Sequence, residues 1–147
     1  MPSPAEYLSV PIPAAGASTS LDTHVRSIMR AGVISVPDDA SVRQVQRALV
    51  GHRVHAVLVV SVSTGEPIGW ATTRGVLERA LADAALLPAA LAVTEPVEAI
   101  SPSATAEEAL RRMVETGCAR LLVRRSPGAP PEGVLSDMDL VRLTTPT

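Results

Sequence analysis

The corner that decides the fold reads GVLSDMD and spans Gly133–Asp139. Its first residues are typical of the end of a buried strand, and the apolar face formed by Leu140 and Leu143 predicts a helix that leaves this strand. Ser136 stands at the expected N-cap of the helix, where a hydroxyl accepts a hydrogen bond from the first turn. A strand that runs directly into a helix presents free backbone N–H groups and the positive end of the helix dipole, which together favour a phosphate.

A second interpretation of this corner needs no ligand. Ser136 and Asp139 have the three-residue spacing of a capping box, in which the two side chains satisfy only their own helix. Taken alone, the heptad favours capping, because such caps are common. A functional interpretation therefore depends on whether the corner recurs elsewhere in the chain.

The corner does recur, 64 residues earlier. Gly69–Thr72 aligns with Gly133–Ser136 as a second Gly-apolar-apolar-hydroxyl corner, and a capping box that begins at Ser41 aligns with one that begins at Thr105. The alignment needs no gap between residues 33 and 76. The pattern predicts an internal duplication, each half ordered helix-strand-helix-strand-strand-helix. Two such halves are expected to bury their sheets against each other about a pseudo-twofold axis.

Composition limits the class of protein. Of the 147 residues, 46% are apolar and 19% are charged, so a packed core is expected. The chain has one Trp, one Tyr, no Phe and a net charge of −2, which makes nucleic acid an unlikely partner. It lacks an apolar run of about 20 residues, a signal-peptide pattern and a second cysteine besides Cys118, so we expect a cytoplasmic protein that does not span the membrane. All 13 basic residues are Arg, which indicates a GC-rich, bacterial genome.

The chain divides into four predicted segments. Four prolines among small residues predict a disordered or extended tail over residues 1–20. The first repeat is predicted over residues 21–84 and the second over 93–145, with an Ala/Leu-rich linker over 85–92 that is broken by Pro88.

Over roughly residues 23–143 the duplicated pattern resembles a tandem pair of CBS domains, often called a Bateman module. The resemblance rests on a strand followed by PDDASV (residues 37–42), a helix, a Val/Leu-rich strand and the Gly-apolar-x-Thr/Ser-x-x-Asp corner. It implies an α/β (α+β) fold of two β-α-β-β-α repeats packed through their sheets about a pseudo-twofold axis. It also implies a regulatory module that binds an adenosine-containing ligand, such as AMP, ADP, ATP, S-adenosylmethionine or NAD, between the repeats.

In that family the corner hydroxyl contacts a phosphate or ribose oxygen, and the aspartate binds the ribose hydroxyls. The resemblance places Ser136 and Asp139 in these roles in the second half. In the first half Thr72 matches, but Gly75 stands where the aspartate belongs. One competent cleft is therefore predicted, at the second corner, with Thr72 marking a weaker site.

The resemblance also implies the other walls of the competent cleft. Met29, Ile34, Val54 and His55 would line the base, and Arg120 would contact phosphate. Each residue has a simpler alternative. Met29 and Ile34 are equally compatible with the core, His55 with an ordinary strand-end histidine, and Arg120 with a surface ion pair worth about 0–1 kcal/mol.

Other chemistry has no support in the sequence. His24, His52, His55 and Cys118 lack metal-ligand spacing, and Cys118 is predicted to be a buried small residue. Nucleotide-hydrolase, dinucleotide-binding and serine-hydrolase motifs are absent, so we expect no enzyme and no catalytic cofactor.

The resemblance therefore implies a standalone sensor that regulates an unknown partner protein and forms a homodimer. The predicted dimer face is an apolar strip on two helices: Val76, Leu77, Ala80, Leu81, Leu140 and Leu143. Two alternatives stay open: a ligand-free interaction and dimerisation module, and, with less support, a nucleic-acid binder.

Overall fold

The computed structural model describes residues 20–80 and 86–146. The predicted tail, apart from residue 20, and Leu81 of the predicted dimer strip lie outside the described residues. The fold is mixed α+β and consists of two repeats, each with a sheet and helices, as the sequence predicts.

The two repeats contain the same elements in the same order. The first repeat holds β1 (Arg30–Ala31), β2 (Ser35–Pro37), α1 (Val42–His52), β3 (Ala56–Val60), β4 (Pro67–Thr72) and α2 (Thr73–Glu78). The second repeat holds β5 (Val93–Glu95), β6 (Ala99–Ile100), α3 (Ala106–Thr116), β7 (Arg120–Val123), β8 (Gly133–Ser136) and α4 (Asp137–Thr144). A 3-10 turn precedes the first strand of each repeat, at Val25–Ser27 and Ala89–Ala92.

The repeats exchange their first strands. The first sheet has the order β2-β3-β4-β5 and the second sheet the order β6-β7-β8-β1, so each sheet takes an edge strand from the other repeat. Strand β1 is antiparallel to β8, with Arg30 opposite Val134, and β5 is antiparallel to β4, with Glu95 opposite Trp70. Because each sheet needs a strand from the other repeat, neither repeat contains a complete sheet of its own.

Further contacts between the repeats follow the same symmetry. A bridge joins His24 to Thr105, and a second joins Ser41 to Pro88. The 64-residue offset that relates the two repeats converts one bridge into the other, because His24 corresponds to Pro88 and Ser41 corresponds to Thr105. The two halves are therefore related by a pseudo-twofold axis.

Local sequence accounts for the main helices. Helix α1 begins after Ser41, whose hydroxyl accepts from the Gln44 amide, and α3 begins after Thr105 in the same way. The first helix of the predicted helix-strand-helix-strand-strand-helix order is only a 3-10 turn at Val25–Ser27, after which the chain enters β1. Pairing with β8 thus overrides the local helical pattern.

Three buried clusters hold the repeats together. One cluster packs α1 and α2 against the first sheet, and a second packs α3 and α4 against the second sheet. The third, which we name the central cluster, contains Leu58, Trp70 and Leu122 from both sheets. Trp70 is 2% exposed, so burial of its large ring contributes strongly to the contact between the sheets.

The predicted dimer strip does not form one exposed surface. Val76 and Leu140 belong to the two repeat cores, and Leu143 packs against the second of them, whereas Leu77 is 70% exposed. Helix α4 exposes Met138 and Val141 instead. The predicted strip therefore combines core-facing residues, Val76, Leu140 and Leu143, with the exposed Leu77.

Candidate ligand-binding clefts

A cleft of about 550 Å³ lies at the corner where β4 enters α2, and we name it the first cleft. Residues of the first repeat form one wall: His55, Thr72, Thr73, Arg74 and Glu78. The exchanged strand β5 and the start of β7 form the other: Val93, Thr94, Glu95 and Arg120. The strand exchange therefore builds this cleft, because β5 lies beside β4.

The buried hydroxyl of the first cleft is already hydrogen-bonded. Thr72 caps α2, and its Oγ1 accepts from the Gly75 amide at 3.1 Å. The same oxygen lies 2.6 Å from Oγ1 of Thr94, and one of the two hydroxyls donates to the other. Thr73 and His55 are exposed at the rim. A ligand would therefore contact a Thr72 hydroxyl that is already hydrogen-bonded to the hydroxyl of Thr94.

A shielded ion pair crosses the first cleft. Nη1 of Arg120 lies 2.5 Å from Oε1 of Glu95, and the two side chains are 17% and 29% exposed. Arg120 belongs to the second sheet and Glu95 to the first, so the pair joins the sheets. The other pair in this cleft, Arg74 with Glu78, joins residues of one helix and is largely in solvent.

Gly75 has a packing role that explains the missing aspartate. A Cβ atom at this position would collide with the backbone carbonyl of Ala92 in the 3-10 turn before β5. This carbonyl is part of the backbone, so it cannot move away from a new Cβ atom as the end of a flexible side chain could. No side chain fits at position 75 unless the turn moves, so the aspartate that the resemblance implies at this corner is sterically excluded.

The second corner forms a reciprocal capping box. The Asp139 amide donates to Oγ of Ser136 at 3.3 Å, and the Ser136 amide donates to Oδ2 of Asp139 at 2.8 Å. The other oxygen, Oδ1, lies 4.0 Å from Nη1 of Arg142, beyond hydrogen-bond distance. Thus each side chain serves its own helix, while Oδ1 accepts no hydrogen bond from the described residues.

The structure separates the residues that the sequence grouped into one cleft. His55, Thr72 and Arg120 line the first cleft. In the ladder between β7 and β8 the backbone of Arg120 lies opposite Ser136, but its guanidinium turns away to Glu95. The guanidinium of Arg120 and the carboxylate of Asp139 therefore lie at different corners.

The remaining predicted wall residues divide between the two cores. Met29 packs against the second core and lies close to Gly133 of β8. Ile34 and Val54 are partly buried and pack against the first core. All three occupy apolar surroundings, as either interpretation of the sequence requires.

Sequence reasoning missed Thr94 and Glu95. Both lie directly before Pro96, in a segment whose pattern gives no sign that it joins the other repeat's sheet. Their counterparts at the 64-residue offset are Arg30 and Ala31, which lack the same chemistry. The one available signal was a polar pair at the end of an otherwise apolar stretch.

Within residues 20–80 and 86–146, no group of three His, Cys, Asp or Glu side chains is arranged to hold a metal ion. No helix in these ranges combines the length and apolar character needed to cross a bilayer.

The duplicated repeats, the exchanged edge strands and the cleft at a strand-to-helix corner define a paired α+β module. The CBS domain model matches the chain twice, over residues 25–82 and 89–145. The chain belongs to the CBS domain family and contains a tandem pair of these domains. A search of curated proteins finds no match.

Solved structures of CBS domains share the fold. The CBS domain of the bacterial CNNM/CorC family Mg²⁺ transporter in complex with ATP is 18% identical, with a TM-score of 0.75 over 89% of this chain and 96% of that one. A CBS domain of a membrane protein from Sphaerobacter thermophilus is 22% identical, with a TM-score of 0.71 over 95% and 96%. The CBS-domain protein ATU1752 from Agrobacterium tumefaciens is 20% identical, with a TM-score of 0.70 over 85% and 96%. At these identities the likeness establishes the fold alone.

Proposed function

We propose that the chain is a regulatory CBS pair that binds an adenine nucleotide between its repeats and modulates a partner protein. The observation that carries the proposal is the first cleft, where Arg120 of the second repeat faces the Thr72 corner of the first. Its volume of about 550 Å³ lies within the range of small-molecule sites. The ATP complex of a structural relative supports the same ligand class.

Arg120 is the proposed phosphate contact. A guanidinium is always charged and presents a planar fork of donors that matches phosphate oxygens. Its side chain is 17% exposed, so an electrostatic contact here is screened less than one at the open surface. A nucleotide phosphate would take the place of the Glu95 carboxylate, which keeps the buried cation paired throughout. Arg74, at the exposed rim, suits the outer phosphates of ATP.

The second corner, at Ser136 and Asp139, is proposed as a separate site for a ribose or an adenosyl group. Oδ2 of Asp139 can stay in the capping box while Oδ1 accepts from a ribose hydroxyl. Ser136 provides the neighbouring hydroxyl, and Met29, which packs against the second core, is the proposed apolar contact for a base at this corner.

Ligand binding would act through the relative orientation of the repeats. A ligand shifts such an equilibrium only by its differential affinity for the two orientations. The Glu95–Arg120 ion pair joins the two sheets and therefore favours one orientation of the repeats. A ligand that displaces Glu95 removes this preference, so its affinity differs between the two orientations. We further infer a cytoplasmic homodimer, in which the exposed Leu77, Met138 and Val141 would contribute to the interface.

Isothermal titration calorimetry with AMP, ATP and S-adenosylmethionine tests the proposal. Arg120→Met should weaken ATP binding at least about tenfold, since a charge-assisted contact is lost. The matched control Arg125→Met removes an exposed arginine and should bind normally. If Asp139→Asn rather than Arg120→Met abolishes binding, the ligand occupies the second corner, with Asp137→Asn as its control. Absence of heat with all three compounds would contradict the nucleotide proposal.

A ligand-free interaction module is the second candidate, and the capping box favours it. Ser136 and Asp139 satisfy each other's backbone amides without any ligand. This candidate expects Asp139→Ala to lower stability modestly and to leave partner binding intact.

A further inference from the structure

A second cleft, of about 320 Å³, lies at the opposite end of the central strands from the first cleft. It is bounded by the turn after β3, at Gly65 and Glu66, and by the loop after β7, at residues 128–131. Leu58, Val60 and Arg124 line it. Val60 and Arg124 are equivalent at the 64-residue offset, so the cleft straddles the pseudo-twofold axis, and we name it the axial cleft.

Arg124 places its guanidinium in the axial cleft, where only some of its N–H groups have hydrogen-bond acceptors. Its side chain is 14% exposed, and its Nη1 lies 3.4 Å from Oε2 of Glu66, a side chain that is 51% exposed. Hydrogen bonds between an arginine and a carboxylate are usually about 2.7–2.9 Å long. Its Nε is buried and has no acceptor among the described residues. A buried guanidinium in this state favours an additional anion.

One side of the axial cleft is apolar, beside the polar side chains of Ser35, Glu66 and Arg124. Val33, Leu58 and Val60 line it and also belong to or pack against the central cluster. Trp70 lies in the same cluster, and its Nε1 is the other buried side-chain nitrogen without an acceptor in the described ranges. Prolines 67, 130 and 131 complete the walls. Such walls favour an apolar body over a second charged group.

We propose that the axial cleft binds a small monocarboxylate with an apolar body, held by Arg124 through its carboxylate. The planar guanidinium can donate two parallel hydrogen bonds to a carboxylate. Glu66 remains beside the site and repels a second negative charge, which favours a monoanion. Its volume of about 320 Å³ lies at the lower end of the range of small-molecule sites, which favours a small ligand. This site is separate from the first cleft and does not depend on the proposed nucleotide function.

Titration of the ¹⁵N-labelled chain with phenylacetate, followed by NMR, tests the proposal. Phenylacetate has ten non-hydrogen atoms, an apolar ring and one carboxylate. It should shift the amide signals of Gly65 and Gly128 at the mouth of the cleft. The neutral isostere phenylacetamide should bind at least about tenfold more weakly, because the charge-assisted contact is absent. Equal affinity for acid and amide, or inorganic phosphate that binds as well as phenylacetate, would overturn the proposal.

Three variants locate the binding. Arg124→Met should abolish the phenylacetate shifts, whereas Arg125→Met, which removes the exposed neighbour, should leave them unchanged. Glu66→Gln removes the competing carboxylate at an exposed position and should raise the affinity several-fold. That variant keeps the test decisive even if Arg124→Met fails to fold. Unchanged or weaker binding by Glu66→Gln would contradict the assignment, as would the absence of shifts in the wild-type chain.

A final titration separates the two clefts. Without ATP, phenylacetate should bind with unchanged affinity when the first cleft carries Arg120→Met. Loss of phenylacetate binding in that variant would place the compound in the first cleft and overturn the axial assignment.

Discussion

Arg120 and Glu95 form an ion pair across the boundary between the two sheets, with 2.5 Å between Nη1 and Oε1. The residues are 25 positions apart, and each lies on a strand at the mouth of the first cleft. Their counterparts at the 64-residue offset are Ala56 and Ala31, so the pair exists on one side of the pseudo-twofold axis alone. Two duplicated corners have thus become chemically different.

Glu95→Gln should increase the affinity for ATP several-fold. The substitution removes the carboxylate that competes with phosphate for Arg120, while the amide keeps the size of the side chain. Calorimetric titration measures the change. Glu98→Gln is the matched control, because Glu98 contacts Arg112 at 3.7 Å outside the first cleft. Weaker ATP binding by Glu95→Gln would show that Glu95 helps to hold the ligand rather than compete with it.

Gly75→Ala should destabilise the protein by about 2–3 kcal/mol, because the new Cβ meets the Ala92 backbone. Gly51→Ala is the matched control: Gly51 also lies in a helix, but a Cβ there meets nothing within 4 Å. The control should stabilise by about 0.5–1 kcal/mol, since alanine is the better helix former. Urea denaturation measures both changes, and equal effects of the two substitutions would refute the packing role of Gly75.

Ser136→Ala and Asp139→Ala should each cost about 1 kcal/mol of stability, as losses of a helix cap do. Because the two side chains belong to one reciprocal box, the double variant should cost less than the sum of the single variants. A thermodynamic cycle built from urea melts measures this coupling. Additive effects would show that each side chain stabilises the helix independently.

Neither repeat should fold when produced alone as residues 21–84 or 85–147. The first fragment lacks β5 and the second lacks β1, so an edge of each sheet is left unpaired and part of each core is exposed. Circular dichroism should show no cooperative thermal transition for either fragment. Equimolar mixing should restore one if the exchanged strands are the missing component. Cooperative unfolding of an isolated repeat would contradict the structural role of the exchange.

Features set by short-range chemistry could be predicted from the residues themselves. Ser41, Thr72, Thr105 and Ser136 all cap the helices that the sequence assigned to them. Each cap depends on a hydroxyl and an amide three positions apart, so neighbouring residues contain all the information required. The regular 64-residue offset then made the duplication visible.

The residues that line the two clefts could not be predicted from the sequence in the same way. The direction of the Arg120 side chain depends on Glu95, and the position of Glu95 depends on β5 joining the first sheet. Strand pairing between distant segments leaves little trace in a short edge strand, whose two or three residues carry no clear period. For the same reason the sequence grouped Arg120 with Asp139, although the structure places their functional groups at different corners.

The sequence by itself determined the duplication, the capped helices and the α+β class, because these follow from local hydrogen bonding and the periodicity of apolar residues. Only the tertiary structure decided which residues share a cleft and why Gly75 has no side chain. Both depend on the exchange of β1 and β5, which brings Glu95 to Arg120 and the Ala92 carbonyl to Gly75. Such contacts are set by packing between segments far apart in the chain, which a single sequence does not display.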